Sequence, residues 1–137
     1  MAVTKSILRY VLGIIFILAG ANHFVSPGFY LPMMPDYLPW HSALVFLSGV
    51  AEIIAGILVI VPMTQRVGAW ALIALLVAVF PANLNMALHA EQFQDYGSQT
   101  VLYIRLPLQV IPMIWAYWYT GKTSPEAPMG TGSAPRE

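Results

Sequence analysis

Four stretches of this 137-residue chain are each about twenty residues long and nearly free of charge: Ser6–Phe24, Ser42–Val61, Val67–His89 and Thr100–Thr120. A membrane span needs roughly 20 mostly apolar residues. Lipid offers backbone N–H and C=O groups no partners, so a span that is not part of a closed barrel must be a helix. The pattern therefore predicts an all-α integral membrane protein, a four-transmembrane-helix bundle with an interfacial loop between helices 1 and 2. Charged residues make up 9% of the chain, where a soluble domain carries about 25%.

Four spans occupy most of residues 1–120 and leave no room for a second folded domain. Residues 121–137 are rich in Pro, Gly, Ser and Thr and predict a disordered cytoplasmic tail. Lys5 and Arg9 ahead of an apolar core, with Ala19-Gly20-Ala21 behind it, also fit a cleaved signal peptide. The span is preferred, because a multi-span protein opens in the same way and Asn22-His23 follows directly. With no cysteine, disulfide exchange, thiolate nucleophiles and cysteine metal sites are excluded. Six Lys and Arg against six Asp and Glu give no basic surface for nucleic acid.

Charge sets an expected orientation. With four spans, Lys5, Arg9, Arg66, Lys122 and Arg136 fall on one side, while the opposite loops carry Asp36, Glu91 and Asp95 and no Lys or Arg. The positive-inside rule then places both termini in the cytoplasm. Trp70 and Trp115 to Tyr119 fit an aromatic belt at the inner interface, with Tyr37 and Trp40 at the outer one. Residues 25–41, the longest connection, hold Pro27, Pro32, Pro35 and Pro39 among aromatic residues, and read as a segment lying over the helix mouths.

The costliest residue is Glu52, near the middle of the second span. An acid at that depth costs several kcal/mol unless it is paired or neutralised. Ser48, Gly49, Ala55 and Gly56 share its face at helical spacing. Arg105 stands five residues into the fourth span, at a depth that differs from that of Glu52 by only about 7 Å, and Gln109 lies one turn on. The expected contact is a Glu52–Arg105 ion pair, direct or shared through Gln109. Gly13, Gly20 and His23 share one face of the first span, and Ala78, Ala82, Asn85 and His89 one face of the third. Asn83 points nearly the opposite way from Asn85, so Asn85 is the preferred site residue.

The candidate polar core or ligand site is thus Glu52, Arg105, Gln109, Asn85, His23, Asn22 and His89, with no catalytic residue assigned and no metal expected. His23, His41 and His89 lack the spacing of a metal site. Three roles for Glu52 stay open: structural pairing, ligand contact and proton transfer. Pro107 and Pro112 interrupt the hydrogen-bond ladder of the fourth span beside Arg105 and Gln109, which predicts a small cavity at that level.

These residues resemble a known family. Gly20-Ala21-Asn22-His23-Phe24 with Pro27, Phe29-Tyr30 and Pro35-Asp36-Tyr37-Leu38-Pro39 is similar to the opening of DoxX-like bacterial membrane proteins. Ser48-Gly49 with Glu52 and Gly56, then Phe80-Pro81-Ala82-Asn83-Leu84-Asn85-Met86, continue the likeness. Arg105-Leu106-Pro107-Leu108-Gln109 and Trp115-Ala116-Tyr117-Trp118 complete it, so that it covers Leu8 to Thr120. The resemblance implies a compact four-helix protein of the bacterial cytoplasmic (inner) membrane. It also implies a membrane subunit or partner of a redox system, with an oxidoreductase as partner protein and a quinone-like molecule as ligand. It implies no catalytic set, and the missing cysteines separate this chain from four-helix quinone reductases that use a thiol pair. An assembly or interaction factor with a purely structural polar core, and a small transporter working as a homo-oligomer, are the alternatives.

Overall fold

The computed structural model describes residues 2–121. Its described residues form six α-helices: α1 (Ala2–Val25), α2 (Pro27–Tyr30), α3 (His41–Ile60), α4 (Gln65–Leu88), α5 (Gln99–Leu108) and α6 (Val110–Tyr117). Four helices, α5 and α6 together making the fourth, are long and apolar enough to cross a membrane: Val3–Val25, His41–Ile60, Gln65–Leu88 and Gln99–Tyr117. Each begins and ends within about one turn of an apolar stretch in the sequence. The tail expected from 121 onward lies, apart from Gly121, outside the described residues.

The tightest pairing is between α1 and α3, which run antiparallel. Two glycines seven residues apart on each helix make it possible. A Cβ on Gly20 would stand 2.6 Å from the Gly49 carbonyl oxygen, and one on Gly56 would stand 2.7 Å from that of Gly13. Backbones this close gain dispersion contact along their whole length. Next to this pair, α4 packs on α3, and the fourth span packs on α4.

Two packed clusters stack along the bundle. At the end holding the N-terminus, Leu12, Phe16, Ala55, Val59, Ala69, Leu72, Leu76, Ala116 and Tyr119 are buried together. The Tyr119 hydroxyl donates to the Lys5 carbonyl at 2.9 Å, and Arg9 donates to Gln65 Oε1 at 2.7 Å, closing that end. At the other end Met33, Met86, Ala90, Phe93 and Leu102 form a second cluster.

Residues 26–40 lie across this second end as a strap. Four hydrogen bonds hold it: Asn22 Nδ2 to Tyr30 Oη (2.8 Å), Asn85 Nδ2 to the Met33 carbonyl (3.4 Å), Tyr96 Oη to the Phe29 carbonyl (2.8 Å), and His41 Nε2 to the Pro35 carbonyl (3.1 Å). The strap runs into α3 through Trp40, whose φ of 54° is in the left-handed region. A bulky residue adopts that conformation only where its surroundings force it.

The fourth span is interrupted. Pro107 sits inside α5, but Pro112 offers no N–H to the Leu108 carbonyl and its ring crowds that carbonyl; α5 ends at Leu108, and α6 starts at Val110. Beyond the break, α6 meets both α4 and α1, whereas α5 packs on α4 and has at most marginal contact with α1 or α3. The strap end of the bundle is therefore open between α3 and α5.

Candidate functional site

That opening is a cavity of about 510 Å³. It falls between the two packed clusters, below the strap. Leu44, Leu47, Ser48, Ala51 and Glu52 of α3 form one wall, Leu75, Ala78, Val79, Ala82 and Asn83 of α4 another, and Arg105 comes from α5. Tyr30, Met33, Met34 and Leu38 of the strap roof it, and His23 of α1 closes the remaining side. The volume suits a small organic molecule, since ligand pockets run from about 300 to 1,000 Å³.

Polar groups collect on the α1–α3 wall. Ser48 and Glu52 are four residues apart, so both project from one face of α3. The close approach at Gly20 and Gly49 brings His23 alongside them. His23 Nδ1 is 3.8 Å from Glu52 Oε2 and 3.0 Å from the Ala19 carbonyl oxygen. A carbonyl only accepts, so Nδ1 carries the hydrogen and the Nε2 lone pair is left free in the neutral ring. Tyr30 stacks on the imidazole with centroids 3.8 Å apart and planes 15° from parallel. Asn22 holds the Tyr30 hydroxyl in turn. The strap thus fixes the ring that faces the acid.

Glu52 and His23 are both buried, at 9% and 8% exposure. Glu52 Oε2 and Ser48 Oγ are sealed from solvent and have no hydrogen-bond partner. Buried polar atoms without partners are uncommon, and each calls for an explanation.

The structure corrects several expectations. Among the described residues Glu52 pairs with His23 and not with Arg105. Arg105 faces the same cavity from α5, which packs on α4 rather than on α3. Matching depth placed the two at one level but said nothing of the lateral gap. Gln109 bridges neither. It accepts from Asn83 Nδ2 at 2.8 Å and donates to the Leu76 carbonyl, locking the break in the fourth span to α4.

Asn83, set aside in favour of Asn85, lines the cavity, while Asn85 ties down the strap. The opposite directions of the two asparagines are correct, but α4 is packed by α3, by the fourth span and by the strap, so both faces point inward. Asn22 is exposed and reaches the site only through Tyr30. His89 is exposed, with Nδ1 at 3.1 Å from the Asn85 carbonyl oxygen, and does not line the cavity. The three histidines are kept apart, each on a different carbonyl.

Sequence reasoning passed over Ser48 as a polar group, Tyr30 as a stacking partner, and Met33 as part of a built roof. The position of Ser48 four residues before Glu52 was the available signal for the first. None existed for the other two, because their local pattern does not say where the strap folds back over the bundle.

No curated protein and no solved structure matches the chain. The model of a family described as Domain of unknown function (DUF8561) matches residues 12–120, a stretch that takes in every residue lining the cavity, and the chain belongs to that family.

Proposed function

We propose that this chain spans a bacterial inner membrane four times, with both termini in the cytoplasm, and holds a small lipophilic molecule in the cavity between α3, α4 and α5. The ligand class is quinone-like: a compact ring with oxygen substituents. The protein serves as membrane subunit or partner of a redox system. Exposed large apolar residues on each long helix support insertion, among them Leu18 at 64%, Phe46 at 55%, Val77 at 57% and Ile114 at 65%. Apolar surface this continuous is uncommon on a soluble monomer. The charge asymmetry between the two ends supports the orientation. The redox association is supported by the DoxX-like resemblance.

One observation carries the binding reading: an apolar cavity of about 510 Å³ is lined by His23, Glu52 and Arg105, whose Nε2, Oε1 and guanidinium nitrogens have no hydrogen-bond partner among the described residues. A purely structural polar core would satisfy these atoms, as Gln109 and Asn83 satisfy each other. The test is native mass spectrometry of protein released from mild detergent, wild type beside Ala78→Phe. Ala78 lines the cavity and is exposed, so the larger side chain fills space without displacing packed core. A small molecule retained by the wild type and lost in the folded variant supports the reading. An empty wild type that co-purifies with another protein would favour the assembly factor instead.

A further inference from the structure

We propose that the molecule held in this cavity binds through a hydroxyl group that donates a hydrogen bond to the His23–Glu52 pair, so that the site takes lipophilic alcohols or phenols and discriminates against their ethers. The inference rests on reading the cavity as a ligand site, and adds which chemical group the site recognises.

The argument counts donors and acceptors. His23 Nδ1 is committed as a donor by the Ala19 carbonyl. With the ring neutral, Nε2 offers a lone pair, and it has no partner among the described residues. Glu52 Oε2 is sealed and turned toward His23. Glu52 Oε1 is not among the sealed atoms and belongs to a side chain that lines the cavity, so it is the oxygen presented to a ligand. If a proton sits on Nε2, the carboxylate Oε1 is the open acceptor. If it does not, Nε2 is. Either way the wall presents at least one acceptor that nothing in the protein satisfies.

The other groups around the cavity do not change that count. Arg105, across on α5, can only donate. The Tyr30 hydroxyl already accepts from Asn22 and stacks its ring on His23 rather than reaching past it. Asn83 gives one N–H to Gln109 Oε1 and stands on the α4 wall, and Ser48 Oγ is sealed and makes no hydrogen bond to Glu52 or His23. A ligand entering this space must bring a donor or leave a buried acceptor unpaired. A carbonyl or ether oxygen accepts from Arg105 but leaves that acceptor bare, so of a quinone-like ligand it is the hydroxyl-bearing quinol or phenol form that the site takes. A hydroxyl satisfies it and still has lone pairs to accept with. The rest of the lining is aliphatic, methionine and aromatic side chains, which suits a ring or a short alkyl chain.

The test compares para-octylphenol with its methyl ether, para-octylanisole, for binding to the full chain in lipid nanodiscs. The two probes have nearly the same apolar body and differ in one donor. An unpaired buried acceptor costs about 1–3 kcal/mol. The phenol is therefore expected to bind about five- to 150-fold more tightly than the ether. In His23→Phe, which keeps a ring to stack on Tyr30, and in Glu52→Leu, the preference should shrink toward unity. Equal binding of the two probes by the wild type, with both displaced by Ala78→Phe, would overturn the hydroxyl inference and leave the ligand cavity standing. Failure of both probes to bind would overturn the inference and the cavity reading together. The comparison on the wild type decides even if a variant does not fold.

Discussion

Substitution of Gly49 by alanine tests whether the α1–α3 pairing sets the site. A Cβ at position 49 would stand 2.7 Å from His23 Cβ and 2.9 Å from the Gly20 carbonyl oxygen, where ordinary contact starts at 3.4 Å. The helices must part by roughly 0.7 Å, because the atoms in the way are backbone and a first side-chain carbon rather than a flexible tip. Overpacking of this kind costs about 1–3 kcal/mol. Alanine recovers up to about 1 kcal/mol through its better helix propensity. With the middle of that range less the full recovery, the net expectation is destabilisation by about 1 kcal/mol, together with weaker ligand retention, since the parting separates His23 from Glu52. Gly28→Ala is the control, as nothing lies within 4 Å of a Cβ there. Reversible unfolding in mixed detergent micelles, followed by tryptophan fluorescence, measures both variants against the wild type. A Gly49→Ala protein as stable as Gly28→Ala would refute the claim that backbone contact at Gly20 and Gly49 positions the His23–Glu52 pair.

Three further outcomes are expected. Gln109→Leu strips the Leu76 carbonyl and Asn83 of their partner and should cost about 1–2 kcal/mol in the same unfolding assay; no change would mean that the fourth span is held by apolar packing alone. Asn85→Ala removes one tie on the strap and should change global stability by less than about 1 kcal/mol, while hydrogen exchange of the amides at 31–34 speeds up; unchanged exchange would show that the strap is held without that bond. Because the chain has no cysteine of its own, Met63→Cys, at a position 94% exposed between α3 and α4, reports orientation directly. An impermeant maleimide should label it in inside-out vesicles and not in intact cells, and labelling from the outside would reverse the proposed topology.

How much of this could be read from the sequence divides along physical lines. The four long helices were legible because length and apolarity alone define them, and the strap over residues 26–40 because proline and aromatic residues crowd it. Glu52 stood out because burial of an acid is costly anywhere. Its partner did not, because depth along a helix follows from counting residues while neighbourhood across a bundle depends on which helices touch. His23 and Arg105 both had suitable depth. Only the glycine contacts between α1 and α3, and the packing of α5 on α4, decide between them. The choice of Asn85 over Asn83 failed for a related reason: helical phase separates faces, but a helix packed on most of its circumference has no single inward face.

The cavity lies on the strap side of the interruption in the fourth span, where α5 packs on α4 and α6 reaches α4 and α1. Pro112 leaves the Leu108 carbonyl without its ladder donor, and Gln109 turns that fault into a fixed joint by bonding Asn83 and the Leu76 carbonyl. Arg105 stands on the far wall from Glu52, so that the guanidinium and the carboxyl group face each other across the cavity without contact. A direct Glu52–Arg105 pair would have filled the gap and satisfied the acid. Keeping them apart leaves an apolar space with a donor on one wall and an acceptor on the other, an arrangement that stabilises the bundle less than a closed pair and that a bound hydroxyl-bearing molecule can complete.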